Sequence, residues 1–325
     1  MNKKILIFSA VAAIIITLGI YFATRRSAPT QNNQTEQTFT ASTGVLQFDP
    51  KSQTISIFDP AINRTKKLTS IADSDVIDMA TNADQTSLLY STSSFPPDSV
   101  LQVGDNPEAQ ILNIKSLSGA FADISKANVF SPAWLSPDKI IYQDIPDSGN
   151  GDLVIFSVSE NQIVNRVSFE PATQSQIHPL NDKTVIVSDF SSDVGDVTSR
   201  LVNLDSGEYS DYIAGYGLQF KSVPASKYLA YQTSSKDSAE TKTAIIDWSS
   251  KEKILELDSS WVSLVGWAAN GEKIYYIENS LLKSYDIVSK QTAEISKVAL
   301  DAISLDITGS KAVISTPSKT TGTNL

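Results

Sequence analysis

Residues 132–142 read PAWLSPDKIIY, and residues 266–276 read GWAANGEKIYY. In each stretch a Trp precedes a turn that is rich in Pro, Asp, Asn or Gly. After the turn comes a short run that ends in Tyr, IIY at 140–142 and IYY at 274–276. This order is typical of a β-hairpin, because the turn residues favour a reversal and the β-branched and aromatic residues favour strands. Related stretches recur along the chain, so the hairpin indicates a repeated unit.

The repeated unit returns about every 45 residues, which is the length of one propeller blade of four strands. A second hairpin follows the first in five of the units, and short strand patterns at 45–49, 54–59, 65–69, 302–307 and 311–316 flank them, giving about 25 strands. We therefore predict an all-β fold, a six-bladed β-propeller whose last blade is closed by strands from both termini; seven blades is the alternative. The positions that close the six hairpins are Tyr90, Tyr142, Val187, Tyr231, Tyr276 and Ser315.

The aromatic residues of the hairpins are expected to pack between neighbouring blades rather than to bind a cofactor. They lie in apolar stretches of the predicted strands, as side chains buried between sheets do. The prediction concerns Trp134, Trp267, Tyr90, Tyr142, Tyr231 and Tyr276.

The hairpins resemble those of the TolB-type six-bladed propellers, in which a PxWSPDG turn precedes an apolar strand ending in Tyr. Residues 132–142 and 266–276 are the two close matches, and residues 67–69, Lys-Leu-Thr, resemble the end of a blade. The resemblance covers residues 44–316. It implies a binding scaffold of the cell envelope, and it assigns the Pro137–Asp138 pair to the turn rather than to catalysis.

The first 43 residues predict a membrane anchor and a stalk. Residues 5–23 are almost entirely apolar, and a helix of that length is about as long as the hydrocarbon core of a bilayer is thick. A cleaved signal peptide is the alternative, but the apolar run is long and Tyr21 lies where a small residue is expected. We predict a short tail over 1–4, a transmembrane helix or signal anchor over 5–23, a flexible polar stalk over 24–43, the propeller over 44–316 and a disordered tail over 317–325.

The charge balance excludes some partners. The chain has 26 Lys+Arg and 36 Asp+Glu, a net charge of −10, whereas nucleic-acid binding needs a basic surface. A stalk beside a single-pass anchor favours a propeller on the extracytoplasmic side of the cell membrane. The flanking charges, Lys3, Lys4, Arg25 and Arg26, decide the orientation only weakly, so a cytoplasmic, regulatory propeller stays open.

Acidic residues cluster in the connections between the second and third strands of the predicted blades. These connections gather on one face of a propeller, so the acids form either a solvated surface or a rim for a cationic partner. The long first connection also carries Phe95, an apolar candidate contact. The candidate partner-binding residues are Phe95, Asp98, Asp105, Asp144, Asp147, Asp189, Asp193 and Asp196.

The sequence supplies few groups for catalysis or for metal binding. It has no Cys and one His, His178, which excludes thiolate chemistry and a site built from several His. We expect His178 to be a hydrogen-bonded polar residue near a strand end, and we name no catalytic residue and no cofactor. Asp144, Asp147 and Asp152 are weak candidate ligands for Ca²⁺, because their spacing departs from that of a helix–loop–helix calcium site.

These observations favour a non-enzymatic interaction or scaffold module that binds an envelope protein or a wall polymer through its propeller loops. The alternative is a carboxylate-dependent hydrolase or lyase with its site in the central funnel, since Asp and Glu are the acid–base groups in good supply.

Overall fold

The structure, a computed structural model, is a β-protein whose described residues form 26 strands and one short 3₁₀ helix, Val262–Leu264. It describes residues 45–49, 52, 54–60, 62, 64–70, 75–81, 87–93, 108–113, 120–121, 129–144, 151–169, 175–190, 196–222, 226–236, 240–258, 261–268, 271–302, 304–308, 311–316 and 320–325. The predicted transmembrane helix over 5–23 and the stalk over 24–43 lie outside these residues. In the part of the chain that is described, no helix is long and apolar enough to cross a membrane.

Five of the sheets have four antiparallel strands each and form complete blades. Each blade is a meander of four consecutive strands. Blade 1 contains β4–β7, and blades 2 to 5 contain β8–β11, β12–β15, β16–β19 and β20–β23. The strands of blade 1 are Asp75–Thr81, Ser87–Ser93, Glu108–Asn113 and Ala120–Phe121, and those of blade 2 are Val129–Ser136, Lys139–Asp144, Gly151–Ser157 and Gln162–Phe169. Blade 3 contains Ser175–Asn181, Thr184–Phe190, Asp196–Asn203 and Tyr209–Tyr216, and blade 4 contains Gln219–Ser222, Tyr228–Ser234, Thr241–Asp247 and Lys253–Asp258. Blade 5 contains Val265–Trp267, Lys273–Glu278, Leu281–Asp286 and Gln291–Lys297.

The two ends of the chain form separate sheets of three strands. The N-terminal sheet contains β1 (Val45–Asp49), β2 (Thr54–Asp59) and β3 (Arg64–Ser70), and the C-terminal sheet contains β24 (Ser304–Thr308), β25 (Lys311–Ser315) and β26 (Thr320–Asn324). The all-β propeller is confirmed. The described residues form five complete blades, so the prediction of six blades and the alternative of seven are wrong. No described strand of one terminus pairs with a strand of the other, so the predicted shared blade is wrong too.

Successive sheets contact each other through their first strands. β4 contacts β8, β8 contacts β12, β12 contacts β16, and β20 contacts β24. Gly266 allows the last of these approaches, because a Cβ there would lie 2.7 Å from Ile307 Cγ1. The terminal sheets meet where Lys311 Nζ donates a hydrogen bond to the Pro60 carbonyl at 3.2 Å. Among the described residues, this side-chain contact joins the two terminal sheets, and no strand pairing does.

Two sets of connections define the two faces of the disc. The connections between the first and second strands and between the third and fourth strands form the turn face. In blades 2 to 5 a backbone N–H just after the third strand donates to the carbonyl just before the second: Val158 to Asp138, Leu204 to Lys183, Trp248 to Lys227 and Ile287 to Glu272. The connections between the second and third strands, and those between blades, form the opposite face, which we call the loop face.

The core lies between neighbouring blades, because the inner strands are mostly apolar on both faces and are buried over continuous runs, as in β9 and β10. Trp134, Tyr142 and Leu89 are buried together between blades 1 and 2, and Trp267 and Tyr276 lie in the cluster between blades 4 and 5. Tyr90 is buried as well, and Tyr231 packs half-buried against the cluster between blades 3 and 4. The predicted packing role of the hairpin aromatics is confirmed.

Candidate functional site

The loop face contains the connections in which the sequence predicts the site. The described strands place these connections at 94–107, 145–150, 191–195 and 235–240, between the second and third strands of blades 1 to 4. Five of the predicted candidates lie outside the described residues: Phe95, Asp98, Asp105, Asp147 and Asp193. Asp144, Asp152, Asp189 and Asp196 are described, and each lies at or near the loop-face end of its strand.

Asp144 and Asp152 share one guanidinium group. They are paired across β9 and β10, and Arg166 Nη1 lies 3.1 Å from Asp144 Oδ2 and 3.5 Å from Asp152 Oδ2. Asp152 also accepts a hydrogen bond from Ser168 Oγ at 3.3 Å. The positive charge that balances these two carboxylates therefore comes from the outer strand of the same blade. No group of three metal-binding side chains occurs among the described residues, and a Ca²⁺ site that includes Asp147 stays a prediction.

Asp189 is a buried acid that holds blade 3 together. Its Oδ1 accepts a hydrogen bond from Ser175 Oγ at 2.5 Å, and its Oδ2 lies 3.2 Å from Arg200 Nη1. The Arg200 guanidinium also lies against the rings of Phe169 and Tyr209, with its Cζ 5.7 and 5.5 Å from their centroids. The Asp189 carboxylate is thus paired and hydrogen-bonded within the fold, as a buried charge requires. We assign Asp189 a structural role in this contact.

Asp196 joins two blades at the loop face. Its Oδ2 lies 2.6 Å from Lys236 Nζ, which belongs to the connection of blade 4, and both side chains are substantially exposed. Exposed ion pairs of this kind contribute little to stability, on the order of 0–1 kcal/mol. Asp144, Asp152, Asp189 and Asp196 each lie against a basic side chain, so this part of the loop face carries charges of both signs.

An exposed aromatic residue of the loop face, Trp261, was missed by the sequence analysis. Its side chain is 45% exposed, although Val262 and Leu264 beside it are buried. Trp261 precedes the 3₁₀ helix in the connection that enters blade 5, and its carbonyl accepts the Leu264 N–H at 2.8 Å. The connection that enters the C-terminal sheet exposes a second apolar side chain on this face, Leu300, at 93%.

Buried polar groups fix the backbone at Trp261. The Val262 N–H donates to Gln232 Oε1 at 2.8 Å, and Lys221 Nζ donates to the carbonyls of Ser263 and Leu305 at 3.4 and 3.0 Å. Burial lowers the pKa of the Lys221 ammonium, an effect that the Asp306 carboxylate opposes. Lys221 thereby joins blade 4 to the start of blade 5 and to the C-terminal sheet. The backbone beside the exposed Trp261 indole is thus held by hydrogen bonds with two side chains of blade 4.

His178 is placed between blades and away from any described carboxylate partner. Its ring centroid lies 5.3 Å from that of Phe220 in blade 4, and its Nε2 is buried with no hydrogen-bond partner among the described residues. Burial lowers the pKa of His178 to about 4. The expected hydrogen bond is not found at this nitrogen, and the environment favours a neutral imidazole.

Solved structures with a similar fold have different functions. TolB from Acinetobacter baumannii matches with a TM-score of 0.53 and 14% identity, over 78% of this chain and 64% of TolB, so the chain spans less than two thirds of that protein. An oligogalacturonate lyase in complex with manganese matches with a TM-score of 0.56 and 11% identity, over 83% of this chain and 81% of the lyase. The propeller domain of the trilobed protease from Pyrococcus furiosus, described as having an open velcro topology, matches with a TM-score of 0.51 and 14% identity, over 83% and 84%.

At these identities the similarity shows the fold alone, since one fold carries many functions. No protein-family model matches the sequence, and the search of curated proteins found no match. The propeller implied by the TolB-type resemblance is confirmed. Membership of the TolB-type family is a proposal.

Proposed function

We propose that this chain is a non-enzymatic, TolB-like interaction module that is anchored in the cell membrane by residues 5–23. Its propeller lies on the extracytoplasmic side and binds an envelope protein or a wall polymer through the loop face. The observation that carries the proposal is Trp261, an exposed aromatic side chain on a backbone that is held by the buried Gln232 and the half-buried Lys221.

A preorganised tryptophan is suited to be the anchor of an interface. Tryptophan is enriched among residues that dominate binding energies, and a rigid backbone lowers the entropy that is lost on binding. Leu300 adds apolar surface on the same face. The Asp144–Arg166 and Asp196–Lys236 pairs lie on this face too, in other blades, so the face offers both apolar and charged groups to a partner.

The test is capture of partners by the full-length chain in detergent. The immobilised chain is incubated with solubilised envelope proteins and, separately, with purified wall polymer, at low and high salt. We expect Trp261→Ala to weaken capture at least about tenfold, the loss typical of an anchor residue. Val288→Ala is the matched control, because Val288 is also exposed, at 77%, but lies on the turn face. Equal capture by the Trp261→Ala and Val288→Ala variants would contradict the proposal.

The same experiment distinguishes the enzymatic alternative. A carboxylate-dependent hydrolase or lyase releases shortened products from the polymer, whereas a binding module retains it unchanged. Product release that is lost on replacing loop-face Asp residues by Asn would favour the enzyme.

A further inference from the structure

We infer that the N-terminal tether joins the propeller at the turn face, so that the loop face is presented away from the membrane to a partner on its far side. The inference rests on the proposed function, because it requires the membrane anchor and the loop-face site. It follows from the position of β1 within its incomplete sheet, which determines where the chain enters the disc.

Strand register identifies β1 as a second strand rather than a first. Pairing between second and third strands is uninterrupted in all five complete blades, and the β1–β2 pairing is uninterrupted as well. Pairing between third and fourth strands is shifted by a bulge or irregularity in blades 2 to 5, and the β2–β3 pairing is shifted between Ile55 and Ser56. The N-terminal sheet therefore contains a second, a third and a fourth strand.

Pro60 provides independent support for this assignment. It follows β2 directly. In blades 2 to 5 the residue that directly follows the third strand donates its backbone N–H to the turn between the first two strands of the same blade; these residues are Val158, Leu204, Trp248 and Ile287. Proline has no N–H to donate. The N-terminal sheet thus lacks the donor that would hold a first hairpin turn, in agreement with the absence of a first strand among its described residues.

The contact of Pro60 with Lys311 places the β2–β3 connection on the turn face. Lys311 begins β25, directly after the connection between the first and second strands of the C-terminal sheet, and that connection belongs to the turn face. Since β1 and β3 run antiparallel to β2, β1 begins on the turn face and ends on the loop face. Val45, the first residue of β1, therefore receives the tether at the turn face.

The geometry separates Trp261 and Leu300 from the membrane. A strand of seven residues spans about 23 Å, and the 21 residues between the anchor and β1 span roughly 25 Å on average if they behave as a flexible chain. The mean span of the tether is close to the thickness of the disc, so we expect its attachment point to favour the turn face as the face nearer the bilayer. The turn face is thus expected to face the bilayer.

Labels on two faces of one blade test this arrangement. The protein has no Cys, so the single variants Val288→Cys on the turn face and Leu300→Cys on the loop face can each carry one fluorescent label. The labelled full-length chain is reconstituted in phosphatidylcholine vesicles that contain a headgroup quencher. We expect quenching at residue 288 to be at least twofold stronger than at residue 300, and a 20-residue Gly/Ser insertion in the tether to reduce the difference.

The outcomes separate this inference from the proposed function. Equal quenching at the two positions, or stronger quenching at residue 300, would overturn the inference while leaving the membrane anchor in place. Failure of the full-length chain to float with the vesicles would contradict the membrane anchor, and the inference with it.

Discussion

His178 shows how a single side chain acquires its properties from its position between two blades. The imidazole packs against Phe220, and its Nε2 is buried without a partner among the described residues. Protonation there would place a charge in an apolar contact, which explains the direction of the pKa shift. The histidine of this protein is therefore suited to packing rather than to proton transfer near neutral pH.

The pH dependence of stability tests this environment. The pKa of His178 falls from 6.5 to about 4 on folding. As the pH decreases through 6.5, the unfolded chain therefore binds a proton at this residue while the folded chain stays unprotonated there. The free energy of unfolding should fall between pH 6.5 and 4, by about 2 kcal/mol at pH 5 for this residue. Urea denaturation of residues 27–325 at pH 7.5 and 5 measures it. The His178→Gln variant should lose about 2 kcal/mol less between these values, and an identical loss would contradict the assignment.

Two buried glutamines connect blades at the level of the strand. Gln143 and Gln232 each follow the Tyr that closes a hairpin, and their Oε1 atoms accept the N–H groups of Ser175 and Val262 at the start of the next blade, at 3.1 and 2.8 Å. Both are almost fully buried. The Tyr-Gln pairs at 142–143 and 231–232 were the pattern in the sequence that could have indicated these hydrogen bonds between blades.

Replacing Gln232 tests the value of such a connection. Gln232→Ala leaves the buried Val262 N–H without its acceptor, and we expect the free energy of unfolding to fall by about 1–3 kcal/mol. Because Val262 adjoins Trp261, partner capture should weaken too. Gln291→Ala, on an exposed outer strand, is the control for denaturation and capture. A Gln232→Ala variant as stable as this control would contradict the role of the glutamine.

The individual strands were more predictable than their grouping. Alternating apolar residues and turn residues located β1, β2 and β25 to within a residue of their observed bounds. Grouping depends on pairing between distant segments, which periodicity does not encode, so the number of complete blades was wrong. β26 was missed because its sequence, TTGTN, has no apolar alternation, and it lies in the segment predicted to be disordered.

The site was less predictable for a related reason. Acidic loops are visible in composition, but their partners Arg166 and Lys236 are 22 and 40 residues away from Asp144 and Asp196 in sequence. The exposure of Trp261 depends on the fold of the connection between two blades. The hairpin aromatics, by contrast, pack between the blades of the repeat that made them recognisable, buried except for the half-buried Tyr231.

At the scale of the whole molecule, Lys311 joins the two ends of the chain. Pro60, whose carbonyl accepts its hydrogen bond, is buried. Lys311→Met removes that donor, and we expect unfolding to become easier by about 1–3 kcal/mol. Hydrogen exchange should accelerate in β2, β3 and β25 while blades 2 and 3 remain protected. Lys290→Met, at an exposed position of the turn face, serves as the control, and acceleration spread evenly over the ring would contradict a local closure.

The measurement that most directly tests the central claim is hydrogen exchange of the full-length chain with and without its captured partner. If the loop face binds the partner, exchange should slow at 261–264 and 298–302, which contain Trp261 and Leu300, and should stay unchanged in the turn-face connections 158–161 and 248–252. Slowed exchange that is confined to the turn face or to the outer strands would contradict the account.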